Sequence, residues 1–346
     1  MGTFPDPASS LLAFFALAAL AAVVFWPGRG IVPRLGRLAR LSERVRLEDA
    51  VKHIFADETA GRRPSFDSLA GAVGVTRDRA VEVVRHLQRI GLARFDGEAV
   101  ELTGEGRAHA LRLVRTHRIW ERYLAERTGL GPGEWHSHAD RLEHGVSAED
   151  VERLAASMGN PLYDPHGDPI PTVAGALPPP RGVPLSSLPA GTNARVVHIE
   201  DEPEGIYRSL RNLGMNVGSL LRVEGIDAAS VSLVVDGRRV TIERLAIRDL
   251  TVEPVEDGGA EEGLERLDAL RPGEDGVVVR VGAQVQGAQR RRLLDLGVVP
   301  GTVVTAELSS ISGDPMAYRI RGAVVALRRA QAGDIFIRRR PREDAA

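Results

Sequence analysis

The stretch DSLAGAVGVTRDRAVEVVRHLQRIGLARFDGEAVELTGEGR, from Asp67 to Arg107, decides the fold of the amino-terminal half. It predicts a short helix over Ser68–Ala72 and a longer helix over Thr76–Ile90, because apolar residues recur there at helical spacing. Gly74 and Val75 stand between the two helices as a turn. This order of short helix, turn and longer helix is the helix-turn-helix pattern of DNA-binding proteins.

Two short apolar runs follow the second helix, Leu92–Phe95 and Val100–Leu102. They flank the dipeptide Asp96-Gly97, which is a signal for a hairpin turn and predicts a wing. On the other side, apolar residues between Leu47 and Phe55 recur at helical spacing and predict a helix before the motif. Three helices and a wing make one compact domain.

The middle of the chain is helical from Arg107 to about Met158, with apolar faces wide enough to be buried. The segment Pro161–Pro184, PLYDPHGDPIPTVAGALPPPRGVP, contains too much proline and glycine for regular structure. We interpret it as a linker.

The carboxyl-terminal half contains two copies of one pattern. The matching positions are Leu185, Leu188, Gly191, Leu213 and Gly214 in the first copy, and Leu267, Leu270, Gly273, Leu296 and Gly297 in the second. Alternating Val, Leu and Ile punctuated by glycine predict two small antiparallel barrels, each with one short helix, over Tyr207–Leu213 and Ala288–Leu296. An acidic, glycine-rich segment that begins at Glu256 separates them.

The composition of the chain restricts which metal sites and catalytic residues it can contain, but it says little about its binding partners. A chain of 346 residues is expected to form several domains. The formal net charge of -2 means that any DNA-binding surface is a local patch. The absence of cysteine excludes disulfides, thiolate metal sites and cysteine nucleophiles, so a metal ion would need histidine and oxygen ligands. We found no nucleophile elbow or phosphate-binding glycine loop, and we predict that the protein is not an enzyme.

An uncharged apolar run, LLAFFALAALAAVVFW, covers residues 11–26. Counted from Ala8 it has 19 residues, about the length that a helix needs to span a hydrocarbon core of roughly 30 Å. The first positive charge is Arg29, after the run, whereas a cleaved signal peptide carries positive charge before it. The positive-inside rule then predicts a single-pass protein of the cell membrane, anchored through residues 8–26, with the later domains in the cytoplasm. A buried core helix is the alternative.

The densest group of candidate metal ligands lies in EWHSHADRLEHGVS, residues 134–147. Its donors share one narrow helical stripe: His136, Asp140, Glu143 and His144. His117 and Glu121 form a second stripe one helix earlier, at i and i+4. Imidazole and carboxylate together suit manganese, ferrous iron or zinc. The alternative is a solvated polar face, since Trp135, Ala139, Leu142 and Val146 define a buried side of the same helix.

The segments HRIWERYLAERTGL, WHSHADRLEHGVS and NPLYDPHGDPIP, in this order after a winged helix, resemble the DtxR/MntR family of metal-dependent repressors. The resemblance covers roughly residues 47–171, and the carboxyl-terminal copies resemble FeoA-type SH3-like domains, most clearly in QRRRLLDLGVVPGT. It implies homodimers that bind double-stranded DNA. It also implies that the FeoA-like domains tune the metal response or contact protein partners.

The resemblance also implies two metal sites. The primary site would fall on Asp49, Asp140, Glu143 and His144, and the ancillary site on His117, Glu121 and His136. Iron-responsive members carry Met or Cys where Asp49 and Asp140 stand, so this chain is closer to the manganese pattern, although Lys52 replaces a carboxylate of the manganese members. Zinc binds such donors tightly as well. Glu202 and Glu204 occupy the region from which the SH3-like domain adds ligands in iron-responsive members.

The predicted recognition helix carries candidate DNA contacts at Thr76, Arg77, Arg79 and Arg85. Asp78 and Glu82 oppose that interpretation, because carboxylates that face phosphate weaken binding. Asp78 can instead contact cytosine or cap the helix, and Glu82 can pair with Arg85 or His86. The remaining histidines, among them His166, are expected on the surface or in the core.

The sequence therefore predicts a multidomain α+β protein. Its domains are a tail and transmembrane helix (1–33), a winged helix-turn-helix (34–108), a helical metal-binding dimerisation domain (109–172), a linker (173–184), a first SH3-like barrel (185–255), a linker (256–263) and a second barrel (264–340). The predicted function is a manganese- or iron-dependent transcriptional repressor of metal-uptake genes. The alternative is a membrane-bound sensor or adaptor for metal transport that no longer reads DNA.

Overall fold

The computed structural model describes residue 15 and residues 31–95, 99–244, 246–255 and 263–340, with side chains from residue 42 onward in the first long range. The chain divides into two compact units, Met1–Val114 and Arg115–Ala346. Among the helices described, none is both long enough and apolar enough to cross a membrane. The apolar run predicted to do so lies outside the described residues, apart from Phe15.

The first unit is a helix-turn-helix with a two-stranded hairpin. Its elements are α1 (Ile31–Thr59), α2 (Phe66–Val73), α3 (Arg77–Arg89), β1 (Ala93–Phe95), β2 (Val100–Leu102) and the first half of α4 (Gly104–Arg127). Gly74 ends α2 in the left-handed conformation, at φ 68° and ψ 39°, which glycine adopts without strain. Thr76 then caps α3 by accepting a hydrogen bond from the backbone N–H of Arg79.

One apolar core holds this unit together. Ile54 of α1, Leu69 of α2, Leu87 of α3 and Leu102 of β2 are almost fully buried within it. The hairpin pairs antiparallel, with Phe95 opposite Val100. The predicted turn at Asp96-Gly97 lies outside the described residues.

The second unit begins with three helices: the second half of α4, α5 (Trp135–Glu143) and α6 (Ala148–Ser157). The segment after α6 is irregular, as its proline and glycine predict, but it is packed rather than free. Ile170 and His166 are 1% and 2% exposed. The Asp164 carboxylate fixes the turn by accepting 2.9 Å hydrogen bonds from the backbone N–H groups of residues 166, 167 and 168. Residues 164–171 are therefore part of the fold around α4 and not a flexible spacer, whereas residues 172–182 are mostly exposed.

Two six-stranded antiparallel barrel-like sheets complete the second unit. The first contains β3 (Val183–Pro184), β4 (Asn193–Ile199), α7 (Glu204–Asn212), β5 (Leu220–Ile226), β6 (Ser230–Val235), β7 (Arg238–Glu243) and β8 (Leu250–Pro254). The second contains β9 (Leu264–Arg266), β10 (Asp275–Val281), α8 (Gly287–Asp295), β11 (Val303–Ser309), β12 (Met316–Ile320), β13 (Ala323–Leu327), α9 (Arg329–Ala332) and β14 (Ile335–Arg339).

The two sheets have the same topology, which confirms the predicted repeat. Their strand orders are β3-β8-β4-β5-β6-β7 and β9-β14-β10-β11-β12-β13, and each places the predicted helix, α7 or α8, between the third and fourth of these strands. The second barrel also contains the four-residue helix α9, which was not predicted. Each has its own apolar core, with Leu233 and Leu250 buried in the first, and Ile320 and Ile335 in the second. The acidic segment between them, residues 256–262, lies outside the described residues.

Candidate metal centre

Two helices of the second unit position most of the predicted ligands. His117 and Glu121 lie on α4, His136, Asp140 and Glu143 on α5, and His144 caps the end of α5. Asp49 lies on α1 in the first unit.

Helix α5 is anchored by Trp135, whose side chain is buried and whose Nε1 donates a 3.1 Å hydrogen bond to the Leu130 carbonyl. The buried side of this helix differs from the prediction. Leu142 is 39% exposed, whereas Glu143 is buried beside Ala139. The reason is that the Glu143 carboxylate has a partner inside the unit, the imidazole of His117.

His117 stands at the centre of a buried ionic cluster. Its Nδ1 lies 2.7 Å from Oε2 of Glu143 and its Nε2 lies 3.0 Å from Oε1 of Glu121. Asp140 approaches the same Nδ1 at 3.3 Å. Glu121 and Glu143 are almost wholly buried, and a buried carboxylate is stable only when a cation or hydrogen-bond donors face it. Two helices are thus joined by one imidazole.

The cluster continues from His136 towards the first barrel. Nδ1 of His136 lies 3.1 Å from Oε1 of Glu121 and 3.4 Å from Oδ2 of Asp201, in the loop between β4 and α7. Within the described part of this unit, two groups of donors are close enough together to hold one cation. They are His117, His136 and Asp140, and Glu121, His136 and Asp201. Oxygen and imidazole donors of this kind fit a divalent first-row metal ion.

The electrostatics of the cluster favour a bound positive charge. Burial lowers the pKa of His117, but hydrogen bonds to Asp140, Glu121 and Glu143 outweigh it and hold the pKa well above its usual value. A hydrogen bond to Glu121 raises the pKa of His136. Burial raises the pKa of Glu121, yet its hydrogen bonds with both histidines bring that pKa far below its usual range. In the metal-free protein a proton on His117 therefore supplies the cation that the carboxylates require.

Sequence reasoning missed Asp201 and placed His166 outside the site. His166 is 2% exposed, and neither of its ring nitrogens has a hydrogen-bond partner among the described residues. Its Nε2 faces Oδ2 of Asp201 at 3.9 Å, and its ring packs edge-on against Tyr207. The signal in the sequence was the position of His166 between Asp164 and Asp168, but only the fold brings that segment to the first barrel.

The two glutamates expected near the ancillary site lie close to it but are absent from both groups of candidate donors in this unit. Glu202 and Glu204 are exposed and line a cavity beside His136 and Asp201. Glu204 forms an ion pair with Arg208 one helical turn later. Asp201 is instead the acidic residue of this loop that faces His136.

Two arginines of α4 hold the irregular segment against the site. The Arg118 guanidinium donates to the Pro169 carbonyl at 2.6 Å and to Asp168 at 3.1 Å. Arg115 donates to the Pro171 carbonyl at 2.8 Å. Because Arg118 follows His117 directly in the chain, the same stretch of α4 positions a ligand and the segment that carries His166.

On α3, the predicted recognition helix, two of the predicted DNA contacts face carboxylates. Arg77 lies 3.3 Å from Asp67, and Arg79 forms an ion pair with Glu82. The alternative role for Glu82, a surface ion pair, is present, but its partner is Arg79 at i−3 and not Arg85 or His86. His86 faces Glu43 of α1 at 3.4 Å, and Arg85 is exposed without an ion pair among the described residues.

A helix-turn-helix unit followed by a buried cluster of imidazole and carboxylate donors is the organisation of metal-dependent regulators, and comparisons with known proteins place the chain in a family of metal-dependent repressors. The family model described as "Iron dependent repressor, metal binding and dimerisation domain" matches residues 103–172, and the FeoA domain matches residues 183–254 and 265–339. The iron-dependent repressor IdeR of Mycobacterium tuberculosis is 33% identical over 221 residues, covering 59% of this chain and 95% of that protein.

The solved structure of a manganese-dependent transcriptional repressor in complex with manganese is 33% identical in sequence to this chain. The match covers 60% of this chain and 100% of that repressor, with a TM-score of 0.54. A probable metal transport system membrane protein of Chlamydia trachomatis is 37% identical over 81 residues, covering 23% of this chain and 18% of that protein. The chain belongs to the family of iron-dependent repressors, with two FeoA domains. The repressors among these relatives are not enzymes, which confirms the prediction on catalysis.

The raised pKa of His117 predicts that metal binding releases protons, since a ligating imidazole must be neutral. We expect about one proton to be released per metal ion bound at pH 7. The affinity for the metal ion should fall as the pH falls, because the ion competes with that proton. Calorimetry in two buffers of different ionisation enthalpy measures this number. His117→Asn should lower it, whereas His138→Asn should not, since His138 is a half-buried histidine on the same helix as His136 and belongs to neither group of candidate donors. Metal binding without proton release in the unmodified protein would contradict the assignment.

Proposed function

We propose that this protein is a transcriptional repressor that responds to manganese or ferrous iron. The observation that carries the proposal is the buried cluster of His117, Glu121 and Glu143, which His136 and Asp201 extend. Its donors are nitrogen and oxygen only, which suits manganese and iron, and zinc binds the same donors.

The residues that would hold the ancillary ion are His117, Glu121, His136 and Asp201, with His166 beside Asp201. Asp140, Glu143 and His144 are the proposed donors of the primary site within this unit. A divalent ion held by these residues would supply a fixed positive charge at the point where α4, α5 and the β4–α7 loop of the first barrel meet. The His117 proton would then be replaced by the charge of the ion, and the three elements would share donors to one cation. A ligand that binds one arrangement better than others shifts the population towards it.

DNA reading is proposed for α3 and the hairpin of the first unit. Arg85 is exposed, and Arg77 and Arg79 can exchange their carboxylate partners for phosphate. As in other dimeric helix-turn-helix proteins, a homodimer would place two such helices about one DNA turn apart.

We expect metal-stimulated binding of the full-length chain to DNA from the region upstream of its own gene. The double change Glu121→Gln and His136→Asn should reduce the metal-dependent increase in affinity by at least about tenfold, because it removes a charge and a donor from the site. His138→Asn on the same helix is the matched control. Arg85→Ala should weaken binding with and without metal and lower the salt slope by about one. No metal stimulation with any such fragment would contradict the regulator function.

A second function has specific support: a membrane-bound sensor or adaptor for metal transport that no longer reads DNA. Asp78 and Glu82 on α3, together with the paired state of Arg77 and Arg79, weaken the case for DNA reading. The partial match to a metal transport membrane protein favours the same function. Metal binding at the cluster without DNA binding would be the result that selects it.

We also propose that residues 8–26 anchor the protein in the cell membrane with its folded units in the cytoplasm. The support is the uncharged apolar run and the arginines that follow it. The full-length chain should stay with membranes through an alkaline carbonate wash, and Ala19→Arg should release it, since a central arginine costs about 2.5–3.5 kcal/mol. Thr3→Arg, outside the run, is the control. Recovery of the unmodified chain in the wash would refute the anchor.

A further inference from the structure

A cavity of about 350 Å³ lies in the second unit between the end of α4 and helix α8 of the second barrel. Four arginines line it, Arg122 and Arg127 from α4 and Arg290 and Arg291 from α8, together with one carboxylate, Glu126. No predicted metal ligand lines this cavity, so it is separate from the candidate metal centre.

The sequence of α8 builds one wall of the cavity as a helical stripe. Gly287, Arg290, Arg291 and Leu294 recur at i, i+3, i+4 and i+7, so they share one face. Gly287 allows this face to approach α4. A Cβ at this position would lie 2.7 Å from the Ala125 carbonyl oxygen. In addition, the φ of Gly287 is +55°, which is unfavourable for residues other than glycine. The close approach brings the arginines of the two helices to one space.

The positive charge in this space is not neutralised. Arg122 forms an ion pair with Glu126 at 2.6 Å, and Arg127 donates a hydrogen bond to the Ser157 carbonyl at 3.1 Å. Arg290 and Arg291 are exposed and have no ion pair among the described residues. In addition, the Nε of Arg122 is buried without a hydrogen-bond partner. A buried donor without an acceptor destabilises the folded protein, so a ligand that brings an acceptor into the cavity would be stabilised there.

The first barrel provides an internal comparison. Its equivalent helix, α7, starts with Glu204, which pairs with Arg208. The second barrel, residues 264–340, carries thirteen arginines against eight carboxylates, whereas residues 183–255 of the first carry eight arginines against ten carboxylates. The repeat therefore conserves the fold and changes the charge, and on α8 that change lies at the cavity.

We propose that this cavity binds a small anion that carries phosphoryl groups. Guanidinium groups match phosphate oxygens with paired, charge-assisted hydrogen bonds. The volume lies in the range of small-molecule sites, about 300–1,000 Å³. Because the cavity is bounded by α4, which also carries His117 and Glu121, the bound anion contacts the same helix that holds metal ligands.

The test uses the metal-free, full-length chain in mild detergent. Inorganic phosphate and inorganic pyrophosphate are titrated into it separately, and calorimetry measures the binding. We expect saturable binding, tighter for pyrophosphate, and a loss of at least about tenfold in affinity for Arg290→Gln with Arg291→Gln. The matched control is Arg271→Gln with Arg292→Gln, which removes the same charge from exposed positions of the same barrel outside the cavity. The control should stay within about twofold of the unmodified chain.

Three results would overturn the proposal. One is the absence of saturable binding by either anion, and another is an equal loss in both double variants, which would show diffuse charge instead of a site. The third comes from a parallel titration with a short random-sequence duplex. If the cavity variant weakens DNA binding while pyrophosphate does not bind, the arginines contact the DNA backbone instead.

Discussion

The constraint on which the second unit depends is the burial of Glu121 and Glu143 on either side of one imidazole. Two carboxylates removed from water lose their hydration and repel each other. A cation between them offsets both costs. His117 supplies that cation as a proton, with Glu143 at 2.7 Å and Glu121 at 3.0 Å. The site is thus preorganised for positive charge before any metal ion arrives.

This constraint connects the separate parts of the unit. Glu121 also faces His136, and His136 faces Asp201 of the first barrel, so three elements share one network of charges. Trp135 fixes α5 at one side, and Arg118 fixes the segment that carries His166 at the other. A change of charge at the centre therefore acts on helices and barrel together, which is what a metal-responsive switch requires.

Periodicity was enough to predict the helix-turn-helix, the repeat of the barrels and the helical stripes of His117, Glu121, His136, Asp140 and Glu143, because each depends on local spacing. It failed where distant segments meet. Asp201 and His166 reach the site through loops whose positions only the fold defines. Leu142 was expected inside since it is apolar, but the imidazole of His117 draws Glu143 inward instead. Glu82 pairs with Arg79, although Arg85 and His86 are also at helical spacing from it, so spacing alone did not identify its partner.

The most direct test of the account is anomalous X-ray diffraction from crystals of the protein grown with manganese. The account predicts a peak among Glu121, His136 and Asp201, with the hydrogen bond between His117 and Glu121 lengthened or lost. A metal peak remote from all of these residues, with the contacts of His117 to Glu121 and Glu143 unchanged, would contradict it.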